Sequence, residues 1–372
     1  MEYDSIDDFG FVDEKQIALS CSGILTRNNF IRALCGRFIR NGEHIFDVLS
    51  RYEYITTYVL MRNDTETESV MKMIFPLLKA YGATDSMVYS FVKDTLTITP
   101  GVLNVVQYIR YLMPTYVMTR SLVHYVMRFC ECTGFQFDNV FCTHIDFDVS
   151  SINKQEGRHI REIASRISTL RIPKVSYIMS KARYLDADDA AIVLELDKDL
   201  RDIFSDMSIG SELKDIEFFG SSEKIRQLLE IRRRNRIDLD STIYVGSDAS
   251  DYQTLDLVRA SDGLAISFNG SEYSIRGSNV MILSNDVSIL NLLASEFYNE
   301  GIERVYDLID NWNLEKLRIY PCFDRNLANV ILRAYPKKLP VVRRITRSNI
   351  DECIIQGEDY SRKMKKLSCP WV

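Results

Sequence analysis

Ser20 and Ser22 stand one residue apart in the stretch QIALSCSGILT and are followed at once by Gly23. Ile17 to Leu19 read as a short buried strand, and Gly23 as the turn that ends it. Phosphate-handling enzymes place a pair of carboxylates at this kind of strand end, where this chain has two hydroxyls. Three further strand-end or helix-start signals follow in order: Thr119 after TYVM, Lys224 at the start of a helix, and the run GSDASD at 246–251 with Asp248 and Asp251. In an open parallel sheet, ligands bind at the carboxyl ends of the strands, so these positions are expected to converge on one crevice. Backbone N–H groups from Cys21 to Gly23, with Thr119 and Lys224, would make a nest for a phosphate.

The elements that must position these residues alternate. In LTITPGVLNVVQYIRYLMPTYVMTRS, Thr99 suits an N-cap and Pro100 the first helical position, while Val102, Val105, Val106 and Ile109 mark one buried helix face. Pro114 then turns the chain into the strand TYVM, expected to end at Thr119. A helix through Leu122, Val126 and Phe129 stops at Gly134, and NVFCT reads as another strand. After a polar helical stretch, SEKIRQLLEIRRRN reads as a helix, and TIYV, LAISF and VMILS as strands. Strand–helix–strand order of this kind implies a doubly wound parallel sheet with helices on both faces.

The expected fold class is therefore α/β. Residues 1–16 form an acidic leader, and 17–27 with 96–150 and 216–290 form the α/β core. Residues 28–95 are a helical cap, 151–215 a second helical insertion without strand rhythm, and 291–372 a helical, increasingly basic extension. At 372 residues, 46% hydrophobic and 26% charged, the composition is that of a globular protein. A net charge of −6 gives no basic footprint for nucleic acid. No apolar run approaches the ~20 residues that span a bilayer, and the eight cysteines form no C-x-x-C pair, so no membrane and a reducing cytoplasm are expected. The charges that stand out are the acids Glu2, Asp4, Asp7, Asp8, Asp13 and Glu14, and the basic tail with Arg343, Arg344, Arg347, Arg362, Lys363, Lys365 and Lys366. They read as solvated ends or as a docking surface for a protein partner. The run Arg232, Arg233, Arg234 and Arg236 closes a helix, where cations complement its dipole. THIDFD reads as a turn.

The order of segments resembles the haloacid dehalogenase superfamily of Mg²⁺-dependent phosphatases. LTITPGVLNVVQYIRYLMPTYVMTR is similar to the segment leading to that family's second motif, and IYVGSDASDYQTLDLVRASDGLAISFNG to its fourth motif and the strand beyond. The resemblance spans roughly residues 17 to 290, including both helical insertions. It extends to archaeal members grouped as an energy-converting hydrogenase A subunit, subunit R, which are similar in the 151–215 insertion, the AISFNG strand and a polar C-terminal extension.

In active members the first motif carries two aspartates: one attacks phosphorus and helps bind Mg²⁺, and the other is the general acid and base. Carried over, the resemblance puts Ser20 at the nucleophile position and Ser22 at the acid/base position. Thr119 and Lys224, with Gly23, would hold the phosphoryl oxygens. Ser247 replaces the usual first acid of motif four, leaving Asp248 and Asp251 as metal-binding candidates. The cofactor implied is Mg²⁺, held weakly or not at all, and the ligand implied is a phosphorylated small molecule. The expectation is a non-catalytic, ligand- or protein-binding member of the fold. An active Mg²⁺-dependent phosphomonoesterase with an altered site, and an accessory subunit of a larger complex, remain as alternatives.

Overall fold

The near-continuous apolar runs do become strands, each buried along its length because helices cover both faces of the sheet. The computed structural model describes residues 14–62, 69–149, 152–178 and 182–368. The strands among them are β1 (Gln16–Ser20), β2 (Thr115–Leu122), β3 (Val140–Thr143), β4 (Ser176–Ile178), β5 (Ala182–Tyr184), β6 (Thr242–Gly246), β7 (Leu264–Phe268), β8 (Val280–Leu283) and β9 (Val341–Arg344). Seven form one sheet in the order β3-β2-β1-β6-β7-β8-β9. Ile17 pairs with Ile243, Val245 with Ile266 and Phe268 with Ile282 in parallel register. Among the described residues no helix is long and apolar enough to cross a membrane.

The chain divides into two units. The first comprises residues up to Leu25, Thr99–Val117 and the chain from Ile225 onward. Its strand β9 pairs antiparallel with β8, so the C-terminal extension is not wholly helical. The helix expected to start at Thr99 begins at Val102 instead. Gly101 precedes it at φ +86°, and a Cβ there would lie 2.7 Å from Asp286 Oδ1. The left-handed conformation at that glycine delays the helix by two residues. Further on, the helical stretch Ile289–Asp310 is broken at Gly301 (φ +73°, ψ −160°), and its first segment carries Glu296, fully buried. Arg304 Nε lies 2.8 Å from Glu296 Oε2, and Glu296 Oε1 accepts from the Phe323 N–H at 3.0 Å. The Arg304 guanidinium also lies over the rings of Tyr320 and Phe323. Two of the tail cations have partners in the same unit. Arg343 pairs with Glu352 at 2.7 Å and Arg344 sits over Tyr306. The leader acids Glu2, Asp4, Asp7, Asp8 and Asp13 lie outside the described residues.

The second unit holds Thr26–Ile98 and Met118–Lys224. Its first stretch leaves and returns side by side: Thr26 bridges Ile98, and the Arg27 N–H donates to the Thr97 carbonyl at 2.9 Å. Between them lie the helices Phe30–Phe38, Gly42–Tyr58, Val70–Ala80 and Asp85–Thr95. The region 151–215 does contain strands: β4 and β5 pair as an antiparallel hairpin between helices Lys154–Ile167 and Ala187–Asp206. Asp189, on the first turn of the latter helix, is almost fully buried. Burial alone would raise its pKa, but the Lys174 N–H at 3.0 Å and the Arg171 guanidinium hold it below the ordinary carboxylate range.

A carboxyl held low in the folded state stabilises above its unfolded pKa, about 3.9. That contribution is lost as pH falls through the folded value. Stability is therefore expected to stay level down to about pH 5 and to fall below about pH 4. In Asp189→Asn the fall is shallower and the stability at neutral pH lower, as urea titrations across that range will show.

Candidate functional site

Because β1 and β6 are parallel neighbours, Ser20 and Gly246 end side by side and the loops that follow them start together. Asp248 caps the short 3₁₀ turn Ala249–Asp251, its Oδ1 accepting from the Ser250 N–H at 2.8 Å and the Ser250 hydroxyl at 2.6 Å. Asp251 reciprocates, accepting from the Asp248 N–H at 3.1 Å, which completes a capping box. This turn swings the Asp251 carboxylate back beneath β6, where it is fully buried.

Among the described residues, at least four donors meet that carboxylate. The Ser20 hydroxyl donates to Oδ1 at 2.5 Å and the Tyr244 hydroxyl to the same oxygen at 2.8 Å. The backbone N–H groups of Ser247 and Asp248 both donate to Oδ2, at 2.8 and 3.1 Å. Complete burial, with Asp251 alongside, pushes the Tyr244 phenol well above its ordinary range. Tyr244 is the member of this cluster that sequence reasoning missed. Its signal was a phenolic hydroxyl in the middle of an otherwise apolar strand, between Ile243 and Val245.

The loop after β1 is fastened to the same turn. Ser247 donates its hydroxyl to the Ser22 carbonyl at 2.9 Å. Gly23 adopts φ +83°, and a Cβ there would stand 2.8 Å from Ser247 Oγ. Only glycine meets both demands at that point.

Thr119 and Lys224 belong to the second unit. Strand β2 runs on past Thr119 to Leu122, and Thr119 Oγ1 accepts from the Ser121 N–H at 3.2 Å. Lys224 lies in the first turn of the helix Ser221–Asn235 and is 2% exposed. Ahead of it, the Gly220 N–H donates to Glu223 Oε2 at 2.9 Å. Lys214, the neighbouring lysine, lies in a polar hollow with Lys72, Glu217 and Glu223.

Mg²⁺ requires oxygen ligands in octahedral array and gains most from carboxylates. The acids present do not fit that demand. Each oxygen of Asp251 already accepts two hydrogen bonds, Asp248 Oδ1 accepts two more, and the Ser20 hydroxyl is turned toward Asp251 as a donor. Among the described residues no group of three or more His, Cys, Asp or Glu is placed to hold a metal ion.

The other charged motifs have structural partners. In THIDFD, Asp146 Oδ1 accepts from the Asp148 and Val149 N–H groups, which makes the stretch a turn. Arg232 pairs with Asp238, Arg233 with Glu230, and Arg234 reaches the Tyr116 hydroxyl at 3.0 Å.

No protein-family profile and no curated protein matches the chain. Among solved structures it is similar to that of gene product AF1437 from Archaeoglobus fulgidus, with 18% identity and a TM-score of 0.75 over 95% of this chain and 98% of that one. It is also similar to a phosphoserine phosphatase carrying an analogue of its phospho-aspartyl intermediate, with 14% identity and a TM-score of 0.45 over 74% of this chain and 97% of that one. A probable phosphoserine phosphatase from Vibrio cholerae aligns with 9% identity and a TM-score of 0.40, over 78% and 68% of the two chains. The likeness to the Archaeoglobus protein is one of fold, over nearly the whole of both chains. The chain shares with it an α/β fold: a mostly parallel sheet with helical insertions after β1 and after β3.

Proposed function

We propose that this chain is a non-catalytic member of the phosphatase fold, one that binds a phosphorylated small molecule or a protein partner in the cytoplasm. The observation that carries the reading is the 2.5 Å bond from Ser20 to the buried Asp251. At the position of the family's attacking aspartate there is a hydroxyl committed as a donor to a structural carboxylate. Ser22 is half-buried and supplies no acid to protonate a leaving group. A missing general acid alone is worth ~10²–10⁴ in rate, and loss of the nucleophile and metal acids adds to it.

A second reading rests on the same bond. A carboxylate within reach of a hydroxyl is also the arrangement of a base beside a nucleophile. Against it stand the near-complete burial of Ser20 and the three other donors that share Asp251.

Hydrolysis of a panel of phosphomonoesters with Mg²⁺ separates the two. The native protein is expected to stay at background, and the double change Ser20→Asp, Ser22→Asp to gain metal-dependent turnover of ~10²-fold or more. In that variant a new aspartate faces Asp251, so Mg²⁺ is also expected to raise its melting temperature while leaving the native protein unmoved. Native turnover that disappears in Ser20→Ala would instead establish the serine as a nucleophile.

A further inference from the structure

A hollow of about 480 Å³ opens in the first unit between the helices Val102–Leu112 and Arg325–Ala334. The first helix lines it with Gln107, Tyr108 and Tyr111, and the second with Leu327 and Val330. Tyr111 is 89% exposed and Val330 46% exposed, so ring and aliphatic surface here meets water. The first helix is buried through other positions, Val102, Val105, Val106 and Ile109, which leaves this surface outside the core. Exposed apolar surface gathered around a hollow marks a place where another chain segment docks.

The path, length and residue types of the chain's own leader point to it as that segment. The Ile17 N–H donates to the Pro114 carbonyl at 3.0 Å, and Pro114 follows shortly after Tyr111. Residues 1–13 therefore join the described chain at the Tyr111 end of the hollow. Thirteen extended residues reach up to ~45 Å, whereas helix positions 104 to 111 span only ~10 Å. In the leader, Phe9 and Phe11 alternate around Gly10, and alternate residues of an extended segment share one face.

Charge gives the direction. The Tyr335 hydroxyl bonds Ser284 Oγ at 2.9 Å, and the Val287 N–H donates to the Pro100 carbonyl at 3.1 Å. The second helix therefore ends beside the start of the first. Arg333 is exposed, one turn past Val330 on the same side of that helix, so it stands at the end away from Tyr111. Lys337 and Lys338, also exposed, come next. A leader entering beside Tyr111 meets the tyrosine and aliphatic lining with Phe11 and Phe9, and then the cations with Asp8 and Asp7.

We propose that residues 1–13 of this chain dock in this hollow. Phe9 and Phe11 cover Tyr111 and Val330, and Asp7 and Asp8 lie beside Arg333. A partner that uses this surface must first displace the leader.

The test places the photo-crosslinker p-benzoylphenylalanine at position 11 of the full chain and maps the products by mass spectrometry. The expected product is a monomer joined to the peptides that carry Tyr111 or Val330. Val330→Asp, at a half-exposed position, is expected to abolish it. Should that variant fold poorly, the double change Asp7→Lys, Asp8→Lys leaves the described chain untouched and is expected to lower the yield about fivefold. Adding Arg333→Glu to that double change should restore part of the yield. In the uncrosslinked protein, deletion of residues 2–13 is expected to speed amide exchange in the helix Arg325–Ala334 about tenfold. Cross-links to other parts of the chain, a cross-linked dimer showing that a second copy is captured instead, or exchange unchanged by the deletion would each overturn the proposal.

Discussion

Replacing Asp251 with alanine is expected to destabilise the folded chain by about 4 kcal/mol. The reasoning starts from the four donors that the carboxylate satisfies. Ser247 and Asp248 are half-buried, so water can reach part of what their N–H groups lose. The Ser20 and Tyr244 hydroxyls are buried, and each orphaned donor costs about 1–3 kcal/mol. A shift in the midpoint of urea unfolding, at unchanged slope, measures the loss. The result also bears on what Asp251 is for. An acid kept for metal chemistry is commonly neutral or unfavourable to stability, and its removal then costs activity alone. An acid kept as the hub of two strand-end loops costs stability when removed, and added Mg²⁺ makes no difference to the native melting temperature.

The second large effect lies across the Gly301 break in the stretch Ile289–Asp310. Arg304→Met is expected to cost about 3–5 kcal/mol, because it leaves Glu296 buried and uncompensated. The double change Arg304→Met, Glu296→Gln should recover most of that. The glutamine carbonyl can still accept from the Phe323 N–H, and no charge is then stranded. Thermal unfolding of the two single variants and the double variant gives the coupling directly. If Arg304→Met costs less than about 1 kcal/mol, the pair behaves as an exposed ion pair and the burial of Glu296 is not felt.

How much of this was legible before the structure depended on what kind of signal each element leaves. Strands β1, β6, β7 and β8 were readable because a strand covered on both faces must be apolar almost throughout, as QIALS, TIYVG, LAISF and VMIL are. Strand β9, VVRR, was not, because half of it is cationic and its arginines find partners only after folding. The hairpin of β4 and β5 is three residues a side, too short to show a period of two. At the strand ends, the two hydroxyls at 20 and 22 were plain from residue types. The commitment of Asp251 was not, since its partners come from positions 20, 244, 247 and 248 and meet only in three dimensions. The residue Tyr244, hidden in a strand, could be assigned a role only once its hydroxyl was seen to face a carboxylate.

The antiparallel pairing of β9 on β8 also sets an order of events during synthesis. Six of the seven strands of the sheet are complete once residue 283 has been made, yet the outer ladder of VMIL stays unmatched until residues 341–344 have left the ribosome. At 5–20 residues per second that interval is on the order of several seconds. Throughout it, a flat apolar strand offers its hydrogen bonds to any other nascent chain. The two arginines that close β9 then end the exposure with positive charge, which discourages a further strand from adding. In this protein the C-terminal extension is the piece that finishes the sheet, and its late arrival makes the time before it the vulnerable stage of folding.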